Sequence, residues 1–167
     1  MINLFDLQGW AELEAAWQKA PELVREELTQ AMDESLIALQ GSVQQFTPQG
    51  ATELLAPSII AQPAEALADQ VIGVVGTSLN YAQAVEFGTK PHFPPVEALE
   101  AWVEKRLGAK GKEIRSIAFL VARKIAAHGT PAFGMFHRGL AAQKAAIANA
   151  FEDARQRIVQ RLAAQGA

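Results

Sequence analysis

The chain is expected to fold as an α+β protein: a small antiparallel β-sheet packed by a long N-terminal helix, followed by a helical C-terminal half. Three observations carry that expectation. Apolar residues recur at helical spacing from Val24 to Val43; a β-branched run, VIGVV, lies between turn signals; and three long periodic segments fill the chain after Pro95. Half of the 167 residues are hydrophobic, which is ample for a core.

A first helix is expected from Asp6 to Lys19, with Leu7, Trp10, Leu13 and Trp17 at helical spacing and Asp6 placed to cap it. The two tryptophans need a surface to pack on, either the protein's own sheet or a partner subunit. The long helix follows. Pro21 suits its first turn, Glu22, Glu26 and Glu27 complement the helix dipole there, and the stripe Val24, Leu28, Ala31, Ser35, Leu39 and Val43 runs to about Phe46. Thr47-Pro48-Gln49-Gly50 ends it, because a residue before proline avoids the helical region.

Two strands are expected at Leu54 to Ile60 and Gln70 to Val75, joined by a loop from Gln62 to Asp69. Pro57 places the first at an edge, and the glycine within VIGVV marks a bulge or a close approach. Gly76-Thr77-Ser78-Leu79-Asn80 reads as a turn feeding Tyr81, and the stretch Tyr81 to Pro95, YAQAVEFGTKPHFPP, as a hinge that breaks at Gly88-Thr89. On this reading residues 1 to 94 hold the N-terminal helices and the sheet, ending in the hinge. Residues 95 to 167 are the helical part of the same domain.

Beyond the hinge, helices are expected over Pro95 to Leu107, Glu113 to His128 and about Met135 to Ala164. Their inward residues are Leu99, Trp102, Val103 and Leu107 in the first and Ile114, Ile117, Ala118, Val121 and Ile125 in the second. In the third they are Leu140, Ala141, Ile147, Phe151, Ile158 and Leu162. Gly108 and Gly129 supply the stops, and the last residues are expected to fray.

Charge is divided along the chain. Residues 1 to 89 carry two basic against twelve acidic side chains, and residues 90 to 167 carry thirteen basic against six acidic. A total of -3 with opposed halves is not the profile of a protein that wraps free DNA. It suits a subunit that meets neighbours through complementary faces, although solvated helix faces produce such a split as well. The start MINLFDLQGW lacks the basic and apolar regions of a signal peptide, and no run approaches the roughly 20 apolar residues of a membrane span. A soluble protein with no membrane partner is expected.

Catalytic signatures are scarce. With no cysteine there is no thiolate metal site and no thiol nucleophile, and His92, His128 and His137 are not at metal-ligand spacing. The run GAKGK from Gly108 lacks the spacing of a phosphate loop. No cofactor is expected. Glu86 is the one carboxylate in an apolar stretch, read either as a general base or as an ion-paired or interface carboxylate. Lys105, Arg106, Lys110, Lys112, Arg115, Arg123 and Lys124 form a basic cluster that suits phosphates or an acidic face on a neighbouring copy.

The order of these segments carries a resemblance. A long amphipathic helix leads to Thr47-Pro48-x-Gly50-x-Thr52-x-Leu54 and Ser58-Ile59, then to a valine-rich strand and to Tyr81-Ala82-x-x-Val85-Glu86-Phe87-Gly88-Thr89. This resembles the tail-completion, or neck, proteins of long-tailed bacteriophages. The run Ile117-Ala118-Phe119 to Ile125, with Gly129-Thr130-Pro131 and Phe136, is similar to the family's closing segment. The likeness covers roughly residues 20 to 141, and the string from Tyr81 to Thr89 is its most specific part. The chain departs from the pattern where Gly50-Ala51-Thr52 replaces a Thr-Gly pair, and its tryptophan segment and long basic last helix lie outside the shared part.

What the resemblance implies is a structural virion protein, not an enzyme, assembled in the host cytoplasm into a ring at the head-tail junction. Sixfold copies of the chain would contact tail-terminator and head-connector or stopper proteins, and genomic DNA would pass through the lumen without sequence-specific binding. Tyr81, Glu86, Phe87, Thr89, Phe93 and Trp102 are the expected assembly contacts or the packing that shapes them. Three alternatives stand beside it: a nucleic-acid-binding accessory that uses the basic helices, another neck component such as a tail terminator or head-completion protein, and a hydrolase acting through Glu86.

Overall fold

A computed structural model describes residues 18–50, 53–68 and 70–165. The expected first helix, with Trp10 and Trp17, lies outside the described residues apart from Gln18 and Lys19, which are helical. The architecture is α+β. In order it consists of α1 (Pro21–Phe46), α2 (Leu55–Ser58), β1 (Ile60–Ala66), β2 (Val71–Gly76), α3 (Ala82–Phe87), α4 (Val96–Leu107), α5 (Lys112–His128) and α6 (Met135–Gln165). These residues form two compact units. One comprises the chain through Ser42, Ile60–Gly76 and the chain from Gly139; the other comprises Val43–Ile59 and Thr77–Arg138.

In the first unit the stripe read from the sequence faces inward: Val24, Ala31 and Ser35 are buried, and Ser35 returns its hydroxyl to the Ala31 carbonyl at 2.7 Å. Val24 packs with Ile158, joined by Leu28 and Leu162, so the end of α6 is covered by apolar contacts and stays helical to Gln165. Ala154 is buried on that face, whereas Ala141 is exposed. Glu27 is buried between the two helices, 2.7 Å from Arg157 Nε and 2.8 Å from Arg161 Nη1. The arginines are one helical turn apart and so meet the same carboxylate.

The hairpin corrects one expectation. The centre of Leu54 to Ile60 is not a strand but the single turn α2; β1 starts at Ile60 and runs on through Gln62 to Ala66, residues read as a loop. The physical reason lies in two prolines. Pro57 sits in the first turn of α2, where no amide donor is needed, and Pro63 falls in the break of register between Gln62 and Glu65. The second strand forms one residue from where it was expected. β1 and β2 run antiparallel with Ala61 opposite Val75 and Ala66 opposite Val71.

Side chains of α1 close the outer edge of β1. The Ala61 amide donates to Gln40 Oε1 at 2.6 Å and the Ala64 amide to Asp33 Oδ1 at 2.7 Å. A strand edge satisfied in this way is not open to pairing with another chain. Gly73 marks the close approach: a Cβ there would lie 2.8 Å from Leu36 Cδ1 and from Met32 Sδ.

The second unit is a helical assembly around Val103, Ala109 and Ala118, with Leu99, Trp102, Ile114 and Ile117 against them. α4 and α5 are joined by a short link in which Gly108 and Gly111 adopt positive φ. Leu107, expected to face inward, is exposed, because the core turns away at the Gly108 cap. The hinge segment from Tyr81 contains a short helix, Ala82–Phe87, with Ala82 buried.

Candidate assembly interface

All six residues singled out from the sequence lie in the second unit, and they divide by role. Glu86 is only 8% exposed, yet its neighbour Phe87 is 77% exposed. The carboxylate accepts the Phe136 amide at Oε2 (2.8 Å) and the His137 amide at Oε1 (3.1 Å). These are first-turn donors of α6, which have no partner within their own helix. Gly134, the residue before Met135, offers no side chain to cap them, so Glu86 does this from α3, where the helix dipole also favours its charge.

Of the roles expected for Glu86, these contacts fit the packing that shapes the segment: both oxygens are engaged by backbone amides of its own unit. The general-base reading is weakened by the same contacts. A sequence signal for the cap did exist, in the absence of Ser, Thr, Asp or Asn before Met135.

Further bonds clamp the same segment. Phe133 donates its amide to the Val85 carbonyl at 2.9 Å and Gly134 to the Glu86 carbonyl at 3.0 Å. Thr89 and Thr130 form an isolated antiparallel bridge, with amide-to-carbonyl distances of 3.0 and 3.2 Å and hydroxyls 3.0 Å apart. Thr89 thus holds the unit together, and the expected hinge is tied down at this point. Arg138 Cζ stands 4.6 Å from the Phe46 ring centroid and 5.5 Å from that of Phe133, a cation–π arrangement at the start of α6.

Trp102 is half-buried in the Val103 cluster and belongs to the packing. Tyr81, Phe87 and Phe93 are exposed, on a segment held by the contacts of Glu86 and Thr89. Sequence reasoning did not name as contacts Phe119 and Leu120, both exposed on α5, or Phe133. Phe119 meets Phe93 edge-on with ring centroids 6.2 Å apart. The signal was available: Phe119 and Leu120 fall off the inward stripe of α5.

The basic cluster is partly neutralised within the unit. Lys105 Nζ lies 3.0 Å from Glu53, Arg106 donates to Gln49 at 2.9 Å, and Arg115 Nη2 lies 3.1 Å from Glu97. The hydrogen bond from Lys105 holds the exposed Glu53 carboxyl below its ordinary value. Lys110, Lys112, Arg123 and Lys124 remain exposed. The rings of His92 and His128 lie against backbone carbonyls, and among the described residues no group of three or more His, Cys, Asp or Glu side chains is placed to hold a metal. No helix among these residues is long and apolar enough to cross a membrane.

Comparison with protein-family models, with curated proteins and with solved structures found no match for this chain.

Proposed function

We propose that this chain is a structural subunit of a bacteriophage neck, a tail-completion protein that forms a ring with copies of itself at the head-tail junction. In that setting it contacts tail-terminator and head-connector or stopper proteins, and DNA passes through the lumen. The observation that carries the reading is Phe87, exposed beside a Glu86 whose two oxygens are occupied by amides. The most specific part of the resemblance thus has a physical role: it fixes a short helix and presents aromatic surface outward. Rigid aromatic side chains contribute contact area with little loss of conformational freedom on association.

A nucleic-acid-binding accessory is the second reading, favoured by the four exposed cations Lys110, Lys112, Arg123 and Lys124. Light scattering of the purified protein over a range of concentration and salt, with a labelled duplex in parallel, separates the two. A ring-sized species that leaves the duplex free is the expected result. A monomer whose tight DNA binding is abolished by salt overturns the assembly reading in favour of the second.

A further inference from the structure

We infer that the outward face of α5 on one copy docks antiparallel on the outward face of α1 on the next copy. The inference rests on the assembly reading and assigns the two faces that meet.

On α5 the exposed residues at helical spacing include Phe119 and Leu120, followed one turn later by Arg123 and Lys124. Leu120 is 60% exposed, and Phe119 is braced by Phe93. Arg123 and Lys124 make no ion pair among the described residues. Arg115, one turn before Phe119, is already paired with Glu97 at 3.1 Å, so this face offers a fixed apolar knob with its unpaired positive charge on the C-terminal side.

On α1 the outward face has the opposite character. Ile37 is 70% exposed and is flanked by exposed Ala38 and Gly41. A Cβ built on Gly41 meets nothing within 4 Å, so the backbone there is an open, low surface beside an apolar side chain. One turn toward the N-terminus is exposed Glu34, which accepts a hydrogen bond from Gln30 at 3.0 Å. Here the apolar patch has negative charge on its N-terminal side.

Only the antiparallel register satisfies both patterns. With Phe119 and Leu120 seated on Ile37, Ala38 and Gly41, the next turn of α5 brings Arg123 and Lys124 over the preceding turn of α1, at Glu34. Large side chains then meet small ones and cations meet an anion. The faces are unlike, so the contact is heterologous and repeats from copy to copy, closing as a ring when the rotation allows. A second copy is the occupant because one chain carries both halves of this match.

The chain contains no cysteine, so Ile37→Cys and Leu120→Cys each introduce a single thiol. The two variants are mixed and oxidised mildly, with a short bis-maleimide in parallel for pairs that lie too far apart for a disulfide. A cross-linked dimer containing one of each variant, well above the level in either variant alone, is expected. In a second arm, Arg123→Glu with Lys124→Glu weakens association at least tenfold, and adding Glu34→Arg recovers most of it. An oligomer by light scattering with no mixed cross-link, or a loss that Glu34→Arg does not recover, overturns the face assignment and leaves the assembly reading standing. A monomer at every concentration overturns both.

Discussion

Thr89 and Thr130, 41 residues apart, are bound through their amides, carbonyls and hydroxyls. The glycines that precede them make this possible. Gly88 and Gly129 have φ of 72° and 70°, and a Cβ on either would run into the carbonyl oxygen of the opposite threonine. Two Gly-Thr pairs, one after α3 and one after α5, form a single clasp.

Substituting Gly88 or Gly129 by alanine is expected to lower stability by about 2–3 kcal/mol, because positive φ and a backbone clash are imposed together. Urea denaturation of the two variants checks this. Gly108→Ala is the comparison, since its positive φ of 67° comes with open space around the Cβ, and its loss should be smaller.

Glu86 accepts one amide at each of its two oxygens, and a glutamine side chain has only one oxygen. Glu86→Gln places an NH2 group against a buried N–H, so a loss of roughly 1–3 kcal/mol is expected. The thermal midpoint should fall, and hydrogen exchange at the Phe136 and His137 amides should quicken. If instead a hydrolytic activity disappeared with stability unchanged, the carboxylate would be a catalytic group and not a cap.

Gly73 tests the packing of the hairpin on α1. Its would-be Cβ meets the flexible ends of Leu36 and Met32, so Gly73→Ala is tolerated with small shifts. Gly73→Val overpacks the contact and should cost about 1–3 kcal/mol in chemical denaturation. Equal stability of the two variants would show that the sheet has room to move away from the helix.

The long elements were legible in the sequence and the short ones were not. α1, α4, α5 and α6 repeat an apolar pattern over several turns, so helical periodicity located each to within a residue or two. The turn of α2 and the helix α3 are too short to show a period. Leu55 and Ile59 are buried by contacts made elsewhere in their unit, and neither pattern nor propensity reveals those. The loop expected from Gln62 to Asp69 differs for a related reason: the bulge that accommodates Pro63 depends on the partner strand. At the candidate interface, aromatic character was readable while exposure was not. Trp102 packs and Phe87 does not, and only the position of Val103 and its neighbours decides between them.

Glu27 gives the chain a pH-dependent join between α1 and α6. Burial on its own would raise this carboxyl, but the hydrogen bonds and charges of Arg157 and Arg161 outweigh it, and the group is held below its ordinary value near 4.5. A carboxyl depressed in the folded state contributes stability that is present above its unfolded pKa and is lost as pH falls through the folded value. Glu27→Gln should therefore cost roughly 1–2 kcal/mol at neutral pH, the figure being kept small because both arginines are part-exposed. The cost should begin to shrink as the pH falls below about 4.5, where Glu27 of the unfolded chain takes up its proton, and should vanish once the pH is below the depressed folded value. Glu152, held at about 2 by Arg155 and then by Gln156, acts in the same direction from the surface, so its share is screened by salt whereas that of buried Glu27 largely persists. Urea denaturation of wild type and Glu27→Gln across that range, at low and at high salt, checks the account. Stability curves that stay parallel down to low pH would remove Glu27 from it.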